Sequence, residues 1–218
     1  MEELVVALEE HPEAGSACAK LLDFERRELL DGAGDELRWT GVGNRRGHGE
    51  LDRGQYNEPG PVFSACAGAA AYRRSALEQV GPFDERFFAY FEDVDWGFRA
   101  QLAGIGCRYV PTAVAYHMAS ATVGAASDFS RYHVWRNAIW LVAKNYPLSS
   151  LVRHAAQLVF YQVLVLAAAL KERKGRVLLR AWRDALRQLP GVLRERRRVQ
   201  RSRRIGARAL EALVRAGR

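Results

Sequence analysis

The stretch Gly81-Pro-Phe-Asp-Glu-Arg-Phe-Phe-Ala-Tyr-Phe-Glu-Asp-Val-Asp-Trp-Gly-Phe-Arg-Ala-Gln-Leu-Ala-Gly104 sets an aromatic loop against the start of a helix. Gly81-Pro82 stops the element before it, and Val94, Phe98 and Leu102 recur at helical spacing as an inner stripe. Glu92, Asp93 and Asp95 fall around the first turn, where open backbone N–H groups and the helix dipole favour negative charge. Asp95 and Arg99 are one helical turn apart and can pair, so Asp95 reads as structural. Glu92 and Asp93 are adjacent acids behind Phe87, Phe88, Tyr90 and Phe91. Partial desolvation and mutual repulsion raise a carboxylate pKa toward the range useful to a general base. The same residues also suit an acidic cap beneath an aromatic cluster, and the two readings stand side by side.

Working outward toward the N-terminus, Ser75 is placed to cap a helical turn over Ala76 to Val80. Val62 to Tyr72, small and apolar throughout, reads as a buried strand with close backbone approach at Gly68. Asp23 to Pro61 reads as a long loop. Its Gly41 to Gly49 portion lacks the strand–turn–helix setting of a phosphate loop and reads as irregular structure. Ala17 to Leu22 suggests a strand, and residues 2 to 11 a short amphipathic helix with an acidic outer face. On the other side, residues 105 to 117 read as extended segments broken at Pro111, and three or four long helical stretches follow. Strands mixed with helices, then helices alone, indicate an α/β domain over residues 1–147 trailed by a helical extension over 148–218.

The composition agrees. A chain of 218 residues with 49% hydrophobic and 27% charged side chains is globular, which excludes a disordered tail, a collagen-like repeat and a disulfide-stapled scaffold. The net charge of +8 is unevenly shared: residues 1–150 carry 15 basic and 21 acidic side chains, residues 151–218 carry 18 and 4. Cys18, Cys66 and Cys107 are odd in number and widely spaced, so neither a disulfide framework nor a zinc knuckle is indicated. Acids near Met1, where a secretory signal would place positive charge, suggest a cytoplasmic body. The apolar run Ala155 to Leu170, interrupted by Gln157 and Gln162, falls short of the ~20 residues that span a bilayer. Beyond it, leucine, valine and alanine alternate with arginine. Such basic amphipathic helices suit peripheral docking on the anionic inner face of a membrane better than nucleic acid, because the body is acidic and lacks a recognised reading module.

The segment Phe87 to Arg99 resembles the Glu-Asp region of family-two glycosyltransferases, particularly their rhamnosyltransferase-like branch. Ser64 to Arg74, Val80 to Asp84, Arg108 to Pro111, Ala115 to Thr122, Arg136-Asn137 and Lys144 to Pro147 follow in the order that family shows. The resemblance covers residues 2 to 147. It implies the C-terminal part of a Rossmann-like GT-A domain, with the nucleotide-binding half of the enzyme lying before these residues. The implied activity is inverting transfer of a hexosyl or rhamnosyl group, in cell-envelope polysaccharide synthesis. A nucleotide-diphosphate sugar would be the donor, and a glycan or lipid-linked hydroxyl the acceptor. Asp93 would be the base, Glu92 its neighbour in catalysis, and Gly68, Ala69, Trp96 and Arg136 substrate contacts. His117 would help hold a divalent metal, Mg or Mn, that stabilises the leaving diphosphate. Read without the resemblance, a lone histidine such as His117 is more often a hydrogen-bonded surface or core residue and a single arginine such as Arg136 more often a solvated or ion-paired helix residue, while Gly68 suits tight packing equally well. Asp93-Val-Asp95 spells the donor-binding Asp-x-Asp pattern but opens a helix after an aromatic loop, so it is not assigned that role. The different class of function that the same residues allow is a non-catalytic remnant that docks on a membrane or a partner.

Overall fold

A computed structural model describes residues 1–118, 124 and 127–216. The end of the Ala115 to Thr122 string therefore lies outside the described residues. The chain opens with α1 (Glu2–Glu10) and then β1 (Ala14–Asp23). Short strands β2 (Leu30–Gly32), β3 (Asp35–Leu37), β4 (Gly43–Arg45), β5 (Gly60–Val62) and β6 (Ala70–Tyr72) follow. Next come α2 (Arg74–Val80), α3 (Glu92–Leu102) and the long β7 (Gly106–His117). Helices α4 (Asp128–Asn145), α5 (Leu148–Arg153), α6 (Ala155–Lys171), α7 (Gly175–Arg201) and α8 (Ala207–Ala216) complete the chain.

The main sheet runs β2-β1-β7-β5, with β6 also paired to β1, and a β3–β4 hairpin stands apart from it. Its axis is the parallel β1–β7 pair, whose register brings Asp23 opposite His117. The other pairings are antiparallel. This is the mixed, Rossmann-like sheet of a GT-A domain. In such sheets the carboxyl ends of parallel strands open onto the ligand crevice, and His117 is the last residue of β7.

Helices α1 and α3 pack into separate clusters. Leu4, Ala7 and Leu8 of α1 pack on Ala17, Ala19 and Val110. Val94, Phe98 and Leu102 of α3, the stripe expected from sequence, join Leu37, Trp39, Phe63, Leu141 and Tyr146. Val199, Leu210 and Val214 of the helical bundle complete that same cluster. The extension thus packs directly onto α3. In α7 a buried row, Leu178, Ala185, Val192 and Val199, repeats at heptad spacing and faces the body. A second row, Leu179, Leu186 and Leu193, repeats beside it and is exposed among arginines.

Several local expectations change. Val62 to Tyr72 is not one strand: β5 and β6 are separated by a 3₁₀ turn over Ala67–Ala69. Ser75 lies inside α2, whose N-cap is Arg73 with no side-chain cap bond. Pro111 does not break β7, because the ladder to β1 absorbs it: Ala19 pairs with Val110 and Lys20 with Val114, so the proline, which has no N–H to donate, lies in an irregularity. The loop from Asp23 to Pro61 contains three of the short strands. It is tied down by non-local bonds such as Leu30 N to Glu50 O and Arg46 Nε to Ala33 O, both 2.8 Å.

Candidate active site

α3 begins under strain. Phe88, Tyr90 and Phe91 all hold positive φ (63°, 64° and 71°), and Phe91 is the N-cap of the helix. Non-glycine residues adopt this conformation only where the surroundings enforce it. The enforcement comes from α4. The side-chain amide of Asn137, fully buried, donates to the carbonyls of Phe87, Ala89 and Tyr90 at 3.0, 2.9 and 2.7 Å. Arg136 adds a bond from Nη2 to the Phe87 carbonyl at 2.9 Å. A second network fixes the other side of the loop. Asp95 accepts from Arg99 Nε (2.9 Å), Lys144 Nζ (2.8 Å) and Asn145 Nδ2 (2.8 Å), and Lys144 also reaches Asp84 at 2.7 Å. Two arginine nitrogens of Arg99 cap the Val80 and Pro82 carbonyls at 2.9 Å.

The result is a cleft of 1210 Å³. One wall is the β3–β4 hairpin with Asn44, Arg45, Arg46 and His48; the other comprises Cys66 to Gly68 and Phe88 to Val94, with His117 between them and Phe129 and Tyr161 at the rim. Asp93 lies half-buried in it. Its carboxylate accepts from the backbone N–H of Ala67 (3.1 Å) and of Val94 (2.8 Å) and, among the described residues, makes no ion pair. Burial pushes its pKa up, while those backbone donors and the charge of Arg45 pull against the rise. Glu92 is raised by burial and by the charge of Asp93, and its Oε2 is sealed off without a donor. Buried Asp35, bonded to Ser64 Oγ at 3.0 Å, is raised by burial and again by Asp93. The first turn of α3 therefore carries carboxyl groups that hold protons more readily than exposed ones, with Asp93 open to the cleft. Such a group is a stronger base than an exposed carboxylate.

His117 faces the same space from the end of β7. Its Nδ1 lies 2.7 Å from Oδ2 of Asp31, a carboxylate 1% exposed that also pairs with Arg45 and lies 3.4 Å from His48 Nδ1. This leaves Nε2 toward Gly68, where a Cβ would stand 3.4 Å from it. A methyl at Gly68 would therefore stand in ordinary contact with the imidazole, on the side of Nε2. A carboxylate behind an imidazole is how histidine ligands are oriented. Yet among the described residues no three His, Cys, Asp or Glu side chains converge to hold a metal. His117 offers one nitrogen, so the described residues do not by themselves make a metal centre.

Of the candidate residues, the structure places Asp93, Glu92, Gly68 and His117 along one cleft. Ala69 is its neighbour in the 3₁₀ turn. Trp96 is elsewhere: fully buried, it donates to the Gly81 carbonyl at 3.0 Å and packs edge-on to Tyr72 at 4.9 Å. It is a core residue between α2 and α3, because it points off the flank of the Val94–Phe98 stripe. Arg136 is also removed from the cleft, 6% exposed and stacked on Trp140 at 4.3 Å, and its role is to hold the aromatic loop. Asp31 and Arg45 went unrecognised in the sequence, and Asn137 entered only as part of the Arg136-Asn137 match, without a role. A single acid in the apolar-flanked Leu29-Leu30-Asp31 was the available signal for the first.

A family model described as glycosyl transferase family group 2 matches residues 39–170. Two curated relatives are N-acetylglucosaminyl-diphospho-decaprenol L-rhamnosyltransferases of Mycobacterium tuberculosis, from strains CDC 1551 / Oshkosh and ATCC 25618 / H37Rv. Each is 48% identical over 75 residues, which are 34% of this chain and 24% of the relative, so the match spans about a quarter of the relatives' length.

Proposed function

The chain belongs to glycosyl transferase family group 2, and from that premise we propose that it carries the catalytic base and acceptor side of an inverting transferase that moves a sugar from a nucleotide-diphosphate donor to a hydroxyl. The observation that carries this reading is Asp93: a carboxylate with raised basicity, held by two backbone N–H groups, open to a large cleft and unpaired with any cation among the described residues. In the proposed step Asp93 takes the proton of the acceptor hydroxyl. The oxygen forms its bond to the anomeric carbon from one face, and the bond to the diphosphate breaks on the other, its electron pair leaving with the phosphate. Burial and the charge of Asp93 raise the pKa of Glu92, so the two adjacent acids are both more basic than exposed ones. Membership in the family suggests a divalent metal, Mg or Mn. His117 would bring one ligand to it, and the step above is written without it.

The identity to the mycobacterial rhamnosyltransferases supports a hexosyl or rhamnosyl cargo and a lipid-linked sugar as acceptor. Because the match covers a quarter of those relatives, the donor-binding strands are proposed to lie outside the matched region. The test is to supply a uridine or thymidine diphosphate sugar with a glycolipid acceptor to the enzyme that includes the donor-binding strands and read the anomeric configuration of the product by NMR. Inverted product is expected; folded protein that consumes no sugar nucleotide, or that retains configuration, contradicts the proposal.

Peripheral membrane contact is proposed for the exposed apolar side chains of α6 and α7. Among the described residues no helix is long and apolar enough to cross a membrane. Leu179, Leu186 and Leu193 are exposed between arginines on α7, and Val159, Phe160 and Val163 are exposed on α6. Apolar side chains flanked by cations insert shallowly among anionic headgroups. Sedimentation with phosphatidylglycerol vesicles is expected to carry the protein down at low salt, with Leu186→Glu and high salt each releasing it. Equal binding to duplex DNA would contradict the assignment.

A further inference from the structure

Phe88 is held out of the core by machinery with no evident structural purpose. Its backbone (φ 63°, ψ −56°) and the 2.8 Å bond from Ala89 N to the Phe87 carbonyl define a γ-turn of the rare, strained hand. A phenylalanine at such a tip would gain by relaxing inward, yet 74% of the residue is exposed. Asn137, with three donated bonds to the carbonyls on either side, prevents that relaxation. The ring is flanked on one side by His133 at 5.6 Å and Phe129 at 6.3 Å, which fix its direction, and it lines the same cleft as Glu92 and Asp93. Burial and Arg136 push His133 down to about 4, so at neutral pH the ring beside Phe88 is uncharged.

We propose that Phe88 is the platform on which the sugar ring of the acceptor lies, and that Asn137 is the positioning residue that presents it. The apolar face of a pyranose carries C–H bonds whose positive edges meet the negative face of an aromatic ring. Its rim carries hydroxyl groups that need acceptors. A cleft that places an exposed phenyl ring beside two carboxylates satisfies both demands at once, which neither an isoprenoid chain nor a nucleobase requires. Stacking on Phe88 would direct a hydroxyl to Asp93, and strain at a functional site is then the means by which the surface is pre-arranged before substrate arrives.

This inference rests on the transferase reading, but its test reads binding alone, so the two can fail separately. Saturation-transfer NMR on the protein would use methyl β-N-acetylglucosaminide as the sugar probe, citronellyl phosphate as the isoprenoid probe and uridine as the base probe. The sugar protons are expected to receive saturation that falls on the order of tenfold in Phe88→Ala and persists in Phe88→Trp. Because Phe88 is exposed, neither change threatens folding. Asn137→Ala, with Phe88 intact, is expected to lose the sugar signal as well. Sugar saturation unchanged in Phe88→Ala overturns the proposal, as does a Phe88-dependent signal confined to citronellyl phosphate or to uridine. Asn137→Ala that folds and keeps the full sugar signal removes Asn137 from it.

Discussion

The two flanks of α3 use the same side chain in opposite ways. On the core flank Asp95 is fully buried, yet its carboxylate receives an arginine, a lysine and an amide, and it locks α4 and the Gly81 turn onto the helix. On the cleft flank, two residues earlier, Asp93 is given backbone donors alone and faces open space. A carboxylate whose oxygens are already taken by two cations and an amide has nothing left to offer a substrate. An unsaturated one with raised basicity can still take a proton. The difference teaches that burial by itself does not mark a functional acid; what marks it is burial without a cation and with a cavity in front.

This contrast yields graded expectations. The largest concerns the core flank. Asp95→Asn leaves Lys144 with Asp84 alone and Arg99 without its counter-charge, and should lower stability by about 3–5 kcal/mol in a denaturant titration. If Asp95→Asn instead left stability untouched and removed transfer, the two flanks would have exchanged roles. Trp96→Ala should also act through stability, by about 3–5 kcal/mol, with substrate KM unchanged for the fraction that folds, because the ring contacts only core. A selective rise in KM would return Trp96 to the binding site.

The pH dependence sharpens the comparison further. Asp93 is raised above the ordinary carboxylate range, so the base form is present above that raised value and lost as pH falls through it. The acid limb of the rate should therefore lie above the range of an exposed carboxylate. Arg45→Gln removes a charge that lowers Asp93 and should move the limb to still higher pH; a shift in the other direction would mean another group titrates. Asp84 behaves oppositely. Arg86 and Lys144 overcome its burial and hold it well below its usual value, so the stability it lends is present above the unfolded pKa and lost as acid carries pH down toward the folded one. The smallest effect is expected at Gly68, where an added methyl would stand in ordinary contact with His117, 3.4 Å from Nε2, and lower turnover severalfold, about 1 kcal/mol, by crowding the open side of that nitrogen.

Much of this was legible in the chain. The α3 stripe, the acids at its start and the Asp95–Arg99 pair follow from spacing, since all are local to one helix. The heptad alternation of leucine and arginine announced the basic helices for the same reason. The β3–β4 wall was not legible: its strands are three residues long, too short to show a period, and hold position through pairings with residues far along the chain such as Ser64 with Asp35. Trp96 was misplaced because an aromatic next to two acids looks the same in sequence whether it faces a cleft or a neighbouring helix. Arg136 was misplaced because its partners are carbonyls of a distant loop, groups that every residue possesses and that sequence therefore cannot mark.

Asp93→Asn tests the central claim most directly, because it keeps shape and hydrogen-bond reach while removing the capacity to accept a proton. Transfer rate per folded molecule, with the unfolding midpoint read on the same samples, is expected to fall on the order of 10²–10⁴-fold at an unchanged or slightly raised midpoint. Turnover within a few-fold of the unaltered protein would show that the proton goes elsewhere.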